Sequence, residues 1–189
     1  PLDAAPRLLV VLDTEEEFDW SKGFDRRNTG VEHMRAIDRV QSIFDAFAVK
    51  PVYVIDHPIA TQRTSSEPLR AFAREGRCEI GAHLHPWVSP PFDEDVNPRN
   101  SYPGNLPREL EREKLARLVA AIEANLGVRP RCYKAGRYGF GPHTAEHLLE
   151  RATTARNRGS PQRSPRPQEK PSTAPSPTAA PSTGPGARS

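Results

Sequence analysis

EIGAHLHPWVSPPF, Glu79 to Phe92, is an apolar run that ends in two histidines one residue apart and then breaks into prolines and a tryptophan. In an extended chain residues i and i+2 point to the same side, so His83 and His85 can turn both imidazoles towards one point. The run CEIGAHLH, closed by Pro86, predicts a strand whose carboxyl end carries ligand-type side chains.

The same pattern recurs on either side. RLLVVLD, Arg7 to Asp13, reads as a strand covered on both faces, PVYVID, Pro51 to Asp56, as a second, and RCYKAG, Arg131 to Gly136, as a fourth. Between them, Met34, Ile37, Phe44 and Phe47 recur at helical spacing over Val31 to Val49. Leu69, Phe72 and Ala73 do so from Ser66 to Glu75, ahead of Gly76. The clearest helix runs from Pro107 to Leu126, where Leu115, Leu118, Val119, Ile122 and Leu126 form one stripe before Gly127. A last helix opens at Pro142 and reaches about Arg151. This order is four βα units, an α/β chain with a parallel sheet and right-handed crossovers. Asp13, Asp56, His83 with His85, and Arg137 each fall at or just past the carboxyl end of a different strand, where parallel α/β folds build their sites.

Composition divides the chain near residue 150. The last 39 residues, Arg151 to Ser189, hold eight Pro, six Ser, five Thr, six Ala and six Arg, with no Val, Ile, Leu, Met, Phe, Trp, Tyr or Cys. Such a segment cannot bury apolar surface, so residues 1–150 are predicted to form the folded domain and 151–189 a disordered tail. The tail has seven Lys and Arg against one acid, while residues 1–150 hold 20 basic and 23 acidic residues. The basic character therefore belongs to the tail, which lacks aromatic side chains to stack on bases, and specific nucleic-acid binding is not expected. No signal segment or membrane-length apolar run is evident, so the default expectation is a cytoplasmic chain that does not enter a membrane. Cys78 and Cys132 are too few for a disulfide scaffold and are expected to be reduced packing residues.

Three segments carry chemistry. LDTEEEFDW, Leu12 to Trp20, follows the first strand with Asp13, Glu15, Glu16 and Glu17, the first of them at the end of a buried strand, where an unpaired charge is expensive. Two histidines with one such carboxylate make the three-ligand open site that catalytic zinc uses. YKAGRYGFGP, Tyr133 to Pro142, supplies Arg137 in a glycine-rich turn, where it can neutralise and orient Asp13. His57, beside Pro58 after the second strand, can line the same pocket. His143 and His147, four apart at a helix start, are expected to be surface residues.

In role and order these segments resemble the motifs of the polysaccharide deacetylase superfamily, the NodB-homology carbohydrate esterases, over about Leu8 to Leu149. The resemblance implies a partial (β/α) barrel of the NodB type. It also implies Asp13 as catalytic base with Arg137 bracing it, and a divalent metal, zinc by preference, on Glu15, His83 and His85, with Glu16 as a fallback ligand. Trp87, Tyr138 and His57 become candidates for substrate contact. Adjacent aspartates and histidines four apart are the family's commoner pattern, so the chain reads as a variant branch. The activity implied is hydrolysis of a non-peptide C–N bond, deacetylating N-acetylated carbohydrate. The alternatives are the same chemistry on a small cyclic amide or ureide, a non-catalytic fragment, or a protein that interacts through its tail. A full barrel takes seven or eight βα units and the family's later motifs include a histidine acid, whereas LLERATTARNRGSPQRSPRP, Leu148 to Pro167, reads as a domain interrupted mid-helix.

Overall fold

The computed structural model describes residues 7–159. Four strands, β1 (Val11–Thr14), β2 (Val52–Ile55), β3 (Glu79–Leu84) and β4 (Tyr133–Ala135), form one sheet in the order β1-β2-β3-β4, every pair parallel. A 3₁₀ turn (Glu32–Ala36) leads into α1 (Ile37–Ala46). α2 (His57–Thr61) and α3 (Arg63–Arg74) follow β2, α4 (Arg108–Leu126) follows β3, and α5 (Pro142–Gly159) follows β4.

The alternation of side chains along each strand sorts the sheet into two faces. Leu12, Tyr53, Ile55, Ile80, Ala82, Leu84 and Tyr133 point to one face and pack into a single cluster with Met34 and Ile37, Ile59 and Ala60, Leu69 and Phe72, and the stripe of α4. Leu115, Leu118, Ile122 and Leu126 of that stripe are each 2% exposed or less, and full burial of such a side chain stabilises by about 1.5–3 kcal/mol. The other face carries Asp13, Val54, Gly81, His83 and Lys134. Sequential parallel strands with helices on one face only are a sector of a (β/α) barrel; a doubly wound sheet would have helices on both. The expected fold class is therefore observed.

Several boundaries differ from those the sequence predicts, for local reasons. β1 begins at Val11, and Leu8, Leu9 and Val11 are exposed because helices cover one face of this edge strand, not two. α1 stops at Ala46, and Ala48, with φ 53°, turns the chain towards β2, which leaves Phe47 of the expected stripe 76% exposed. α4 ends where Gly127 adopts φ 72°, a left-handed conformation that glycine takes without penalty. α5 runs to Gly159, past the expected boundary at 150, since no glycine or proline interrupts it earlier. The rest of the predicted tail, 160–189, lies outside the described residues. Cys78 is buried as expected and Cys132 is exposed; both are free thiols. Among the described residues no helix is long and apolar enough to cross a membrane.

One buried ion pair ties α4 to the loop beyond β3. Lys114, fully buried, sits 3.0 Å from Glu94 and donates to the carbonyls of Pro86, Ser89 and Pro91, so it fixes the path of the chain just after His85. Burial lowers the Lys114 ammonium below its ordinary range, against the pull of Glu94. Removing one partner of such a pair strands the other charge. Lys114→Met is expected to lose about 3–5 kcal/mol in urea unfolding. Adding Glu94→Leu should recover at least half of that loss.

Candidate metal centre and active-site cleft

The first and third strands bring their ends together. Glu15 leaves β1 immediately after Thr14, and His83 and His85 lie on the non-helical face at the end of β3. Nε2 of His83 is 3.1 Å and Nε2 of His85 is 3.4 Å from the same Glu15 oxygen, Oε2. The far side of each ring is also engaged. His83 pairs in register with Lys134 of β4, and its Nδ1 lies 3.0 Å from the Lys134 carbonyl oxygen. A carbonyl can only accept, so Nδ1 carries a proton. His85 Nδ1 lies 2.8 Å from Glu16 Oε2, which holds that ring in place. Burial lowers the His85 pKa to about 4, so this imidazole is neutral at neutral pH.

Two imidazole nitrogens and a carboxylate oxygen therefore converge on one point. These three ligand-type atoms lie within 4.8 Å of one another, close enough for one divalent ion. Burial raises the Glu15 carboxyl, but its contacts with His83, His85 and Lys134 outweigh that and leave it below the ordinary range.

A second cluster, Glu16, Asp56 and His85, has comparable spacing but lies wholly buried. Its atoms are largely satisfied from within. Asp56 accepts from the backbone N–H of Glu16 at 2.8 Å and of Ile59 at 2.9 Å, capping α2. Burial pushes the Glu16 carboxyl up to about 7 and Asp56 well above its ordinary value, so the pair is not a doubly charged ligand set. Its geometry supports the His85 ring. Glu16, the fallback ligand of the sequence reading, holds the back of that imidazole.

The three donors open into a cleft of about 300 Å³ whose walls include Asp13, Trp20, Tyr102, Lys134, Arg137 and Tyr138. Asp13 stands on the rim, and its cation is Lys134, whose Nζ contacts Asp13 Oδ2. This corrects the expectation that Arg137 braces Asp13. Strand alternation puts Lys134 on the face of His83, beside Asp13, while Arg137 lies beyond the strand and turns elsewhere. Its guanidinium stacks 4.2 Å from the Tyr102 ring centre and donates to Ser101 Oγ. Arg137 and Tyr138 have φ of 53° and 58°, left-handed conformations in two successive non-glycine residues that each cost about 1–3 kcal/mol. Gly136 precedes them because a Cβ there would strike the Leu84 carbonyl and the His85 ring.

Two other expectations are corrected. Trp87 is buried and does not line the cleft; its ring stacks on His85 at 4.3 Å, 22° from parallel, and it packs against Phe18 and Phe24, so it supports the imidazole from behind. His57 does not line the cleft, because the Asp56 cap starts a helix at that residue and carries it away. Tyr138 does line it and is 85% exposed. His147, expected at the surface, is buried within 3.8 Å of Glu111. Lys134, Trp20 and Tyr102 were not among the sequence candidates. Of these, Lys134 had a signal, the alternation of YKA after a histidine-bearing strand.

No protein-family model matches the sequence, and no curated protein matches it. Two solved structures do. One is a protein from Mycobacterium smegmatis assigned as a polysaccharide deacetylase, 28% identical, covering 61% of this chain and 35% of that one, with a TM-score of 0.46. The other is a family 4 acetyl xylan esterase from Clostridium thermocellum in complex with a cobalt ion, 17% identical, covering 75% of this chain and 54% of that one, with a TM-score of 0.47. The chain is similar to carbohydrate deacetylases and esterases. It spans about a third of the length of the first and about half of the second.

Calorimetric titration with zinc is expected to give one site per chain. Glu15→Gln, His83→Ala and His85→Ala should each weaken it by more than about 100-fold. Glu16→Ala, which frees the back of the His85 ring, should weaken it by about 10–100-fold.

Proposed function

We propose that the chain carries the metal site and catalytic base of a hydrolase that cleaves a non-peptide C–N bond, removing acetyl groups from N-acetylated carbohydrate. The observation that carries this reading is the convergence of three ligand-type atoms, Glu15 Oε2 and the Nε2 atoms of His83 and His85, at the floor of an open cleft with a carboxylate–lysine pair on its rim. Two imidazoles and one carboxylate are a donor set for zinc, with positions left open for water and substrate. A divalent ion held there supplies Lewis-acid polarisation of an amide carbonyl and makes water a stronger acid.

The chain's own residues do the rest. Asp13 takes the proton of the attacking water, and Lys134 holds that carboxylate in place. Water oxygen adds to the carbonyl carbon, the C–N bond breaks, and the proton held by Asp13 passes to the leaving nitrogen, giving acetate and a free amine. The Lys134 carbonyl and the Glu16 carboxyl hold the two imidazoles in place at Nδ1. Trp20 is 64% exposed and Tyr138 85%, and they flank the opening with broad aromatic faces. An open cleft with exposed rings suits a sugar chain lying across it better than a small cyclic amide, which calls for an enclosed pocket.

The zinc-loaded protein is expected to release acetate from an N-acetylated sugar oligomer, to stop on chelation and to resume when zinc returns. Asp13→Asn should lower kcat by about 10²–10⁴-fold while zinc affinity stays within a few-fold. Acetate release that ignores the chelator would overturn the reading.

A further inference from the structure

Arg137 is a cation that the proposed reaction does not use. It lines the same cleft as the three metal-directed atoms, yet among the described residues no carboxylate pairs with it. Asp13 already has Lys134, and Glu15 faces the two imidazoles. Of the five N–H donors of its guanidinium, one is committed, to Ser101 Oγ, and that hydroxyl is itself buried and fixed by donating to the Pro98 carbonyl at 2.7 Å. Aromatic rings surround the group, with centres at 4.2 Å for Tyr102, 5.1 Å for Phe24 and 5.7 Å for Trp20. The Ser101 contact is its one hydrogen bond among the described residues. The backbone that aims it is left-handed at Arg137 and again at Tyr138, a conformation held by the close packing of Gly136 on β3 and not by local preference.

We infer that Arg137 is a specificity residue that receives a carboxylate carried by the sugar substrate, so that the preferred substrate is an acidic N-acetylated carbohydrate and not a neutral one. The inference rests on the deacetylase reading and adds the substrate's charge to it. A guanidinium edge matches a carboxylate with two parallel N–H···O bonds. A single negative charge is the complement of this site. Asp13 and Glu15 already line the cleft, and a group of higher charge would be repelled by them while meeting only one cation without a carboxylate partner among the described residues.

The test uses one N-acetylated oligosaccharide bearing a carboxylate on each repeat and its methyl ester, which is neutral and otherwise the same. Acetate release by the zinc-loaded full chain gives kcat/KM for each, and calorimetry gives binding without turnover. The wild-type protein is expected to prefer the acid over the ester by at least about tenfold in both measurements, the effect of one charge-assisted pair. The preference should fall as salt is raised. It should drop to near one in Arg137→Gln and lie between in Arg137→Lys, which keeps the charge but not the planar edge. A ratio near one in the wild type, a ratio that survives Arg137→Gln, or tighter binding of a sulfated oligosaccharide than of the carboxylated one overturns the inference. If neither sugar yields acetate, the deacetylase reading fails, and the calorimetric ratio still decides the role of Arg137.

Discussion

Three ligand-type atoms, one carboxylate oxygen and two imidazole nitrogens, meet across the ends of β1 and β3, and the surrounding structure is arranged to keep them so. The Lys134 carbonyl accepts from His83 at Nδ1, the Glu16 carboxyl holds His85 at Nδ1, and Trp87 lies flat against the second ring. Filled by a divalent ion, the cluster is a three-ligand site with open positions.

Behind it stand layers that make no contact with the cleft. Asp56 and Glu16 form a buried carboxyl pair under His85, and Asp56 also starts α2. Lys114 reaches from α4 into the loop after β3 and gathers three of its carbonyls, so the segment carrying His85 and Trp87 is held from the helix side of the sheet. Register supplies the remainder. Because His83 pairs with Lys134 on the same face, one strand pair delivers both a backbone acceptor for the imidazole and an ammonium for Asp13.

The parts of this design that depend on periodicity were legible in the sequence. Alternating apolar runs and the stripe of α4 give the four βα units, and the strand-end position of Glu15, His83 and His85 follows from counting residues along a strand. What could not be read was which of two nearby cations meets Asp13. Arg137, in a glycine-rich turn, looked free to reach it, but its left-handed backbone turns it onto Tyr102, and the strand lysine paired in register with His83 meets Asp13 instead. Trp87 followed the histidines in a way that suggested substrate contact, whereas packing against Phe18 and Phe24 from a distant loop draws it under the site. His147 likewise depends on α5 meeting Glu111 of α4, a contact across more than thirty residues that no local pattern encodes.

Zinc K-edge X-ray absorption of the zinc-loaded chain tests the central claim most directly. The predicted first shell is two imidazole nitrogens with oxygen donors at about 2.0–2.1 Å. A shell without imidazole scattering, or one with sulfur at about 2.3 Å from the exposed thiol of Cys132, would contradict it.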